Sequence, residues 1–366
     1  MFGGFYKGRN VLVTGHTGFK GAWLSLWLKS IGARVHGLSL PPPTNPNFHE
    51  VIKEYAFETE SECDIRDLKQ VKAAVKEVSP DITFHLAAQP IVRRSYAEPL
   101  ETFETNATGT ANVLEAIRHA ELPGPVVVIT SDKCYENREW EFAYRENDPL
   151  GGHDVYSMSK AATELVAQSW NKSFFLPNAK LGSVVTVRAG NVIGGGDYAQ
   201  DRIVPDCVRA LIENKPILVR NPHAIRPWQH VLECLSGYLW LGARISKEGK
   251  HSKLCSAFNF GPEPSARQPV RRLVEQILGV WPGKWVDGSD PKSPHEAMLL
   301  SLSIEKAGAL LGWYPAWDFK EAIQKTVEWY FERHVSKKKE MLKFSQEQIG
   351  EYTQAAKNKG LEWATE

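Results

Sequence analysis

A tyrosine and a lysine stand four residues apart in this sequence, at Tyr156 and Lys160. If the segment is helical, the two side chains share one face and reach the same ligand. A free phenol titrates near pH ~10, so it is a poor base at neutral pH unless a neighbouring ammonium favours the phenolate. The spacing therefore predicts a tyrosine base assisted by a lysine, although the same spacing is also common on solvated helices.

Three consecutive residues, Ser131, Asp132 and Lys133, offer a hydroxyl, a carboxylic acid and an amine. They follow a predicted strand, and open α/β sheets bind ligands at the carboxyl ends of their strands. Ser131 and Tyr156 would suffice to polarise one hydroxyl for a redox reaction. The additional acid and base indicate a second reaction at a neighbouring carbon. The alternative is a polar loop whose Asp132 and Lys133 side chains point to water.

A glycine-rich turn with the spacing G-x-x-G-x-x-G follows the first predicted strand and opens the first predicted helix. Glycines at these positions let the backbone approach a pyrophosphate at a helix N-terminus, which predicts dinucleotide binding. The second predicted strand, which ends at Ser39, is followed by neither an acidic residue for ribose hydroxyls nor an arginine for a 2′-phosphate, and this favours NAD over NADP. The predicted cofactor contacts in the turn are Gly15, His16, Thr17, Gly18, Phe19, Lys20 and Gly21.

Further cofactor contacts are predicted on later elements. Asp64, beside Ile65, either faces the adenine amino group or caps the helix that follows. Asn106 lies within a predicted helix, where asparagine has a poor propensity, so it has a polar role that is either structural or cofactor-related. Small residues at the end of the fourth predicted strand would let a cofactor lie flat against the backbone. The remaining predicted contacts are Leu86, Ala87, Ala88, Gln89, Thr130, Tyr156 and Lys160.

The elements that position these residues alternate between short β-branched runs and longer stretches of helical periodicity, the pattern of βαβ units on a parallel sheet. The fold prediction is α/β, a Rossmann-type doubly wound parallel sheet with a smaller C-terminal α/β substrate-binding lobe. Strands are predicted at Val11–Thr14, Val35–Ser39, near Phe57–Thr59, and at Ile82–Leu86, Val126–Thr130 and Val184–Arg188. Helices are predicted at Gly18–Ile31, Leu68–Val78, Thr102–His119 and Asp154–Trp170.

The domain boundaries are predicted from a change of composition after Arg188, where glycines and prolines divide the chain into short elements. Residues 1–190 form the predicted NAD-binding domain, to which the chain returns around residues 224–258. Residues 191–223 and 259–335 form the predicted substrate-binding lobe. The polar, lysine-rich residues 336–366 are predicted as a solvated helical tail.

Composition excludes several classes of protein. Lysine plus arginine (44) nearly balances aspartate plus glutamate (43), so no global charge indicates a nucleic-acid or membrane partner. The five cysteines are scattered without the spacing of a metal or disulfide framework, and no metal is predicted. No apolar run has the length of a signal core or a membrane span, which predicts a cytoplasmic location.

Taken together, these motifs resemble the extended short-chain dehydrogenase/reductases from roughly Gly8 to Tyr330. Within that family, Lys133 and Lys20 are similar to the subgroup of CDP-glucose 4,6-dehydratases. Related dehydratases usually have threonine at the position of Ser131, and serine keeps the hydroxyl. The other segments that carry the likeness are His85–Gln89, the helix around Asn106, Tyr156–Lys160, Arg188–Gly194, Gly194–Asp197, and Leu311–Pro315 through Thr326–Tyr330.

The resemblance implies a reaction in which Tyr156 takes the proton of the sugar 4-hydroxyl, assisted by Lys160 and Ser131. Lys133 then removes the C5 proton, and Asp132 protonates the departing 6-hydroxyl. It also implies NAD as cofactor, CDP-glucose as substrate, and a homodimer or dimer of dimers paired through two helices. Arginines suit a nucleotide diphosphate because their planar fork matches phosphate oxygens. The implied substrate contacts are Arg94, Ser131, Asn191, Asp197, Arg202, Pro205, Arg220, Arg226, Trp228 and His230.

Three other functions remain open at this level. A nucleotide-sugar 4-epimerase would use Tyr156 and the cofactor without needing Asp132 and Lys133. A 4,6-dehydratase could act on another nucleotide sugar, since spacing does not reveal the base. A cofactor-binding regulatory protein would retain the fold without the chemistry. Such proteins typically lack the tyrosine or the lysine, and this chain has both.

Overall fold

The computed structural model describes residues 1–290 and 299–365. Residues 291–298 of the predicted substrate lobe and Glu366 of the predicted tail lie outside the described residues. The strands are β1 Asn10–Thr14, β2 Arg34–Ser39, β3 Thr59–Glu62, β4 Ile82–His85, β5 Val126–Ile129, β6 Val184–Arg188, β7 Val192–Ile193, β8 Ile217–Val219, β9 Ile225–Pro227, β10 Gln229–His230, β11 Phe258–Asn259, β12 Arg267–Pro269 and β13 Trp285–Asp287.

The helices alternate with the strands in the first half of the chain. They are α1 Phe19–Ser30, α2 His49–Ala56, α3 Leu68–Val78, α4 Val92–Ala97, α5 Pro99–Phe103, α6 Gly109–His119, α7 Val155–Trp170, α8 Ile203–Ile212, α9 Val231–Glu248, α10 Val270–Val280, α11 Glu305–Leu311, α12 Phe319–His334, α13 Met341–Asn358 and α14 Glu362–Thr365.

A seven-stranded parallel sheet in the order β11-β6-β5-β4-β1-β2-β3 forms the centre of the molecule. Buried side chains alternate across it: Val11 and Val13 face the core under α1 and α9, whereas Leu12 faces the core under α3 and α6. Helices cover both faces, as parallel strands require. The doubly wound Rossmann-type prediction is confirmed, and the carboxyl ends of β1, β4, β5 and β6 meet at one edge.

Two predicted elements differ in detail. The third strand is β3, two residues later than the predicted start, because Phe57 packs against the rings of His16 and His49 instead of pairing with β2. The predicted helix Thr102–His119 is interrupted by a π-helical turn at Glu104–Thr108. There the Asn106 carbonyl accepts hydrogen bonds from the Thr110 and Thr163 hydroxyls at 2.7 and 2.9 Å.

The part of the chain after β6 builds three two-stranded sheets, which pair β7 with β10, β8 with β13 and β9 with β12. These short elements and α8 form a lobe beside the carboxyl edge of the large sheet. Helix α9 returns to the sheet and packs on α1 and β5, and β11 extends the sheet beside β6.

Residues 341–365 are largely helical, as predicted, but both helices bury one face in the core, so the prediction of a solvated tail is wrong. Along α13, Met341, Ile349, Tyr352 and Ala356 are buried in the main core, and Trp363 of α14 is fully buried. Polar neighbours on the same face are satisfied by tertiary hydrogen bonds. The Trp329 indole, for example, donates to the Ser345 hydroxyl at 2.9 Å.

All five cysteines are free thiols, four of them buried. Among residues 1–290 and 299–365, no helix has both the length and the apolar character needed to cross a membrane.

Candidate active site

A cleft of about 1580 Å³ lies between the carboxyl edge of the large sheet and the second lobe. Most of the predicted site residues line it. They are Gly15, Thr17, Gly18, Phe19, Lys20, Gly21, Asp64, Ile65, Leu86, Ala87, Ala88, Gln89, Arg94, Thr130, Ser131, Asp132, Lys133, Tyr156, Lys160, Asn191, Asp197, Arg202, Pro205, Arg220, Arg226 and Trp228.

The glycine turn packs so closely on itself and on the end of β4 that side chains are excluded at two of its positions. Gly15 has a φ of +72°, and a Cβ added there would lie 2.6 Å from the Ala87 nitrogen. A Cβ on Gly21 would lie 2.2 Å from the Gly15 carbonyl oxygen. Gly18 caps α1, so the helix N-terminus opens onto the cleft. This cradle fits the pyrophosphate of a dinucleotide.

Hydroxyls occupy the end of β2, where dinucleotide sites often have a carboxylate. The Thr17 hydroxyl is 2.8 Å from the Ser39 hydroxyl and donates to the Leu40 carbonyl at 2.9 Å. Asp64 lines the cleft, but its carboxylate is bound by the Arg66 guanidinium at 2.6 to 3.0 Å. The alternative helix-capping role for Asp64 is wrong, because Asp67 caps α3.

Three predicted contacts have side chains that do not line the cleft. The His16 ring is buried against Gly37 and bonded to Glu60, and burial lowers its pKa to about 4. Asn106 clamps the Gln89 backbone, accepting from its nitrogen at 2.8 Å and donating to its oxygen at 3.0 Å. His230 is fully buried, and its Nδ1 accepts from the Leu232 nitrogen at the start of α9. For these side chains the predicted ligand contact is replaced by an internal role.

Tyr156 and Lys160 lie on the first turns of α7, which Asp154 caps through the Ser157 nitrogen at 2.9 Å. Both side chains are buried at the cleft. The Lys160 ammonium donates to the Ile129 carbonyl at 3.4 Å. Burial, reinforced by the Lys20 ammonium, lowers the pKa of Lys160 to about 8. Burial raises the pKa of Tyr156 to about 12, an effect that a hydrogen bond with the Ser131 side chain opposes.

Ser131, Asp132 and Lys133 occupy the turn that follows β5. The Ser131 hydroxyl donates to Asp132 Oδ1 at 3.0 Å and accepts from the Lys133 nitrogen at 3.2 Å. Only 3% of Asp132 is exposed, so the alternative of a carboxylate pointing to water is wrong. The carboxyl group rests on Gly190, where a Cβ would lie 1.7 Å from Asp132 Oδ2. Lys133 is half-buried and lines the same cleft.

A fully buried ion pair behind the cleft was not anticipated from the sequence. The Arg188 guanidinium donates to both carboxylate oxygens of Glu164, at 2.9 and 2.8 Å. The same carboxylate accepts from the hydroxyls of Thr130 and Thr186, and Tyr135 accepts from Arg188 at 2.6 Å. One feature of the sequence pointed to Glu164: it follows Lys160 by four residues and therefore lies on the same face of the helix, toward the site.

Arginines and carboxylates alternate along the lobe side of the cleft. Arg202 pairs with Asp197 at 2.8 Å, and Asp201 lies between Arg220 at 2.7 Å and Arg93 at 3.6 Å. Arg93 and Arg209 also line the cleft and were not predicted as contacts. The Trp228 indole donates to the Gln268 carbonyl at 3.0 Å, so Trp228 presents its ring rather than a free N–H.

Comparisons with known proteins agree with this geometry. The model of the "NAD dependent epimerase/dehydratase family" matches residues 11–256. A CDP-glucose 4,6-dehydratase of Salmonella typhimurium is 44% identical over 96% of this chain and 98% of that protein. A probable dTDP-glucose 4,6-dehydratase of Sinorhizobium fredii is 26% identical over 88% of this chain and 93% of its own length.

Solved structures share the fold. A dTDP-glucose 4,6-dehydratase from Streptomyces venezuelae with NAD bound has a TM-score of 0.75 and 22% identity, covering 90% of this chain and 99% of that one. A UDP-glucose 4-epimerase from Thermotoga maritima has a TM-score of 0.74 and 21% identity, and the match covers 88% of this chain and 98% of that one. The match of the family model, together with the near full-length likeness to the Salmonella enzyme, establishes that this chain belongs to the NAD-dependent epimerase/dehydratase family.

Proposed function

We propose that this protein catalyses the NAD-dependent dehydration of CDP-glucose to CDP-4-dehydro-6-deoxy-glucose. One observation carries the proposal. A carboxyl group, Asp132, and an amine, Lys133, share the cleft with the redox pair Tyr156 and Lys160. The likeness to the Salmonella CDP-glucose 4,6-dehydratase over nearly the full chain supports the same reaction and the same nucleotide.

For the oxidation, Tyr156 accepts the proton of the sugar 4-hydroxyl. Its pKa of about 12 must fall for this, and the Ser131 hydrogen bond and the Arg202 guanidinium both lower it. The Lys160 ammonium, one helical turn further along α7, would favour the phenolate in the same way. When bound, NAD would supply the hydride acceptor for C4 and the hydride donor for C6, and its positive ring would favour the phenolate. The cradle around Gly15 and Gly21 would hold its pyrophosphate, and Lys160 would hold its ribose.

For the elimination, Lys133 removes the C5 proton that the 4-ketone has acidified, and Asp132 protonates the departing 6-hydroxyl. As hydride enters C6, Lys133 returns the proton to C5. Asp132 is positioned for its role as the acid, because its carboxyl group rests on Gly190 at the cleft and only 3% of the residue is exposed. Lys133 is half-buried and lines the same cleft.

For the substrate, we propose that the second lobe, residues 191–223 and 259–335, binds the nucleotide diphosphate. Arg202 and Arg220 line the cleft there, and both are paired with carboxylates that a diphosphate would compete with. The NAD-binding part, residues 1–190 with the return at 224–258, supplies the chemistry. The cytoplasmic location stays a prediction.

A 4-epimerase is the second candidate, because a UDP-glucose 4-epimerase shares the fold. It would need Tyr156 but neither Asp132 nor Lys133. Purified protein with NAD is therefore incubated with the CDP-, dTDP-, UDP- and GDP-linked glucoses, and products are followed by mass spectrometry. Loss of water from CDP-glucose alone, without accumulation of NADH, is expected.

Two variants separate the candidates. Asp132→Asn and Lys133→Met are each expected to lose dehydration by about a hundredfold or more, while Lys172→Met, an exposed lysine remote from the cleft, keeps it. Full activity in both cleft variants, or an isomerised sugar of unchanged mass, would remove the dehydratase mechanism.

We also propose a homodimer or a dimer of dimers that pairs through α5–α6 and α7. These helices pack on each other and expose large apolar side chains at Leu100, Phe103, Met158 and Leu165. Such a row on neighbouring helices is typical of a helix-bundle interface. Light scattering is expected to give at least twice the 41.1 kDa mass of one chain, and a monomeric mass would refute the pairing.

A further inference from the structure

Two histidines and a carboxylate converge outside the cleft, behind the glycine turn. His16 belongs to that turn, His49 begins α2, and Glu60 lies in β3. His16 Nε2 is 2.9 Å from Glu60 Oε1, and His49 Nε2 contacts the same oxygen. One donor atom from each of the three residues lies within 4.8 Å of the others.

The two imidazoles are held by packing from several elements. The side chains of His16 and His49 are only 3% and 10% exposed, and their ring centroids are 5.5 Å apart. Both rings contact Phe57, at 4.9 and 5.6 Å. The His16 ring also lies over Gly37, which pairs with Glu60 across the sheet. A ligand of these nitrogens would meet side chains that are already ordered, so little side-chain entropy is lost on binding.

The donor set suits a particular class of ion. Two imidazole nitrogens and one carboxylate oxygen form a set of three protein ligands that zinc accepts, with water as the fourth. Magnesium and calcium prefer oxygen ligands throughout, so nitrogen donors favour zinc, cobalt or nickel. The Glu60 side chain is 34% exposed, which leaves a route for the ion and a place for the water.

Ligation requires a small opening of the cluster. Tetrahedral ligands with bonds of about 2.1 Å lie about 3.4 Å apart, whereas His16 Nε2 and Glu60 Oε1 are 2.9 Å apart. Glu60 is the most exposed of the three and can withdraw by this amount. The His49 Nδ1 atom is buried without a hydrogen bond among the described residues. Metal-bound histidines usually donate this N–H to a second partner, so binding here is expected to be exchangeable rather than permanent.

We propose that His16, His49 and Glu60 form an exchangeable site for a zinc-class divalent ion, separate from the NAD cleft. The ion would join the glycine turn, α2 and β3 through one centre. Because it binds only the folded chain, it would also raise the melting temperature.

The test is titration of the untagged full-length protein with Co²⁺, whose visible absorption reports tetrahedral nitrogen and oxygen ligation, followed by competition with Zn²⁺. One Co²⁺ per chain is expected. His49→Phe keeps the ring contacts, and Glu60→Gln keeps the side-chain size. Each is expected to bind at least about tenfold more weakly. Glu62→Gln, on the same strand, is the matched control and is expected to bind like the unmodified protein.

The melting temperature is a second readout, which distinguishes loss of the ion site from misfolding of a variant. Without metal, Glu60→Gln is expected to melt within a few degrees of the unmodified protein, because its side chain lies partly in solvent. Zn²⁺ should raise the melting temperature of the unmodified protein and of Glu62→Gln, but not of Glu60→Gln or His49→Phe. Absence of one-to-one uptake, or uptake that both ligand variants retain, overturns the proposal without touching the proposed dehydratase activity.

Discussion

Replacing Glu164 by glutamine tests the buried ion pair behind the cleft. Neither Glu164 nor Arg188 has more than 1% of its side chain exposed, and the carboxylate accepts four hydrogen bonds. Glu164→Gln keeps the shape but removes the charge. It leaves the guanidinium unpaired away from water and turns an amide N–H toward groups that donate.

The expected cost follows from that burial. Breaking a buried pair on one side costs about 3–5 kcal/mol, because the remaining charge has no compensation. A chain of 366 residues has an unfolding entropy of about 0.8 kcal/mol per kelvin, at about 2.1 cal/mol per kelvin per residue. The melting temperature is therefore expected to fall by about 4–6 °C. Deprotonation of Arg188 does not relieve this cost, because a guanidinium stays charged in proteins.

Differential scanning calorimetry checks this value against a matched surface pair. Glu115→Gln breaks the pair with Arg118, whose members are 25% and 32% exposed, and is expected to cost less than about 1 kcal/mol. The double variant Glu164→Gln, Arg188→Met leaves no buried charge and should melt above Glu164→Gln alone. Equal melting of Glu164→Gln and Glu115→Gln would refute the reasoning.

Three further outcomes are expected. Tyr156→Phe should lower kcat by about 10²–10⁴-fold while NAD binding, followed by calorimetry, persists. Gly190→Ala should displace the Asp132 carboxyl, because the added Cβ would lie 1.7 Å from its Oδ2, so dehydration is lost more than C4 oxidation in single-turnover assays. Burial raises the pKa of Glu233 to about 7. Between pH 4.5, the ordinary pKa of a glutamate, and about pH 7, the native state then binds more protons than the unfolded state. This group's stabilisation is therefore present at low pH and lost as the pH rises across that window. The free energy of unfolding in urea is measured for the unmodified protein and for Glu233→Gln. The difference between the two should fall by roughly 3 kcal/mol from pH 4.5 to 7.5, and a difference that stays constant would contradict this.

Residues whose position depends on strand ends were predictable from sequence. Alternating strands and helices fix which chain segments reach the carboxyl edge of a parallel sheet. That is why the glycine turn, Ala87, Ser131 and Tyr156 meet at one cleft. The position of such a residue relative to its strand is enough to place it at this edge, without knowledge of tertiary packing.

The direction of a single side chain was not predictable in the same way. His16 sits in the glycine turn, yet its ring turns to Gly37 because that strand position lacks a Cβ. His230 ends β10 but fills the space between Trp23 and Trp317. Both depend on neighbours distant in sequence. The buried face of α13 was missed because its core positions include serine and glutamine, whose tertiary hydrogen-bond partners are distant in sequence.

The buried ion pair links the two halves of the proposed reaction. Glu164 stands one helical turn beyond Lys160 on α7, and its carboxylate accepts the hydroxyl of Thr130, which directly precedes Ser131. Arg188 lies two residues before Gly190, and the Asp132 carboxyl group rests on Gly190. A single carboxylate thus fixes the helix that carries the oxidation and the strand ends that carry the elimination. Because both steps act on adjacent carbons of one bound sugar, displacement of either element by about 1 Å would separate them and slow turnover.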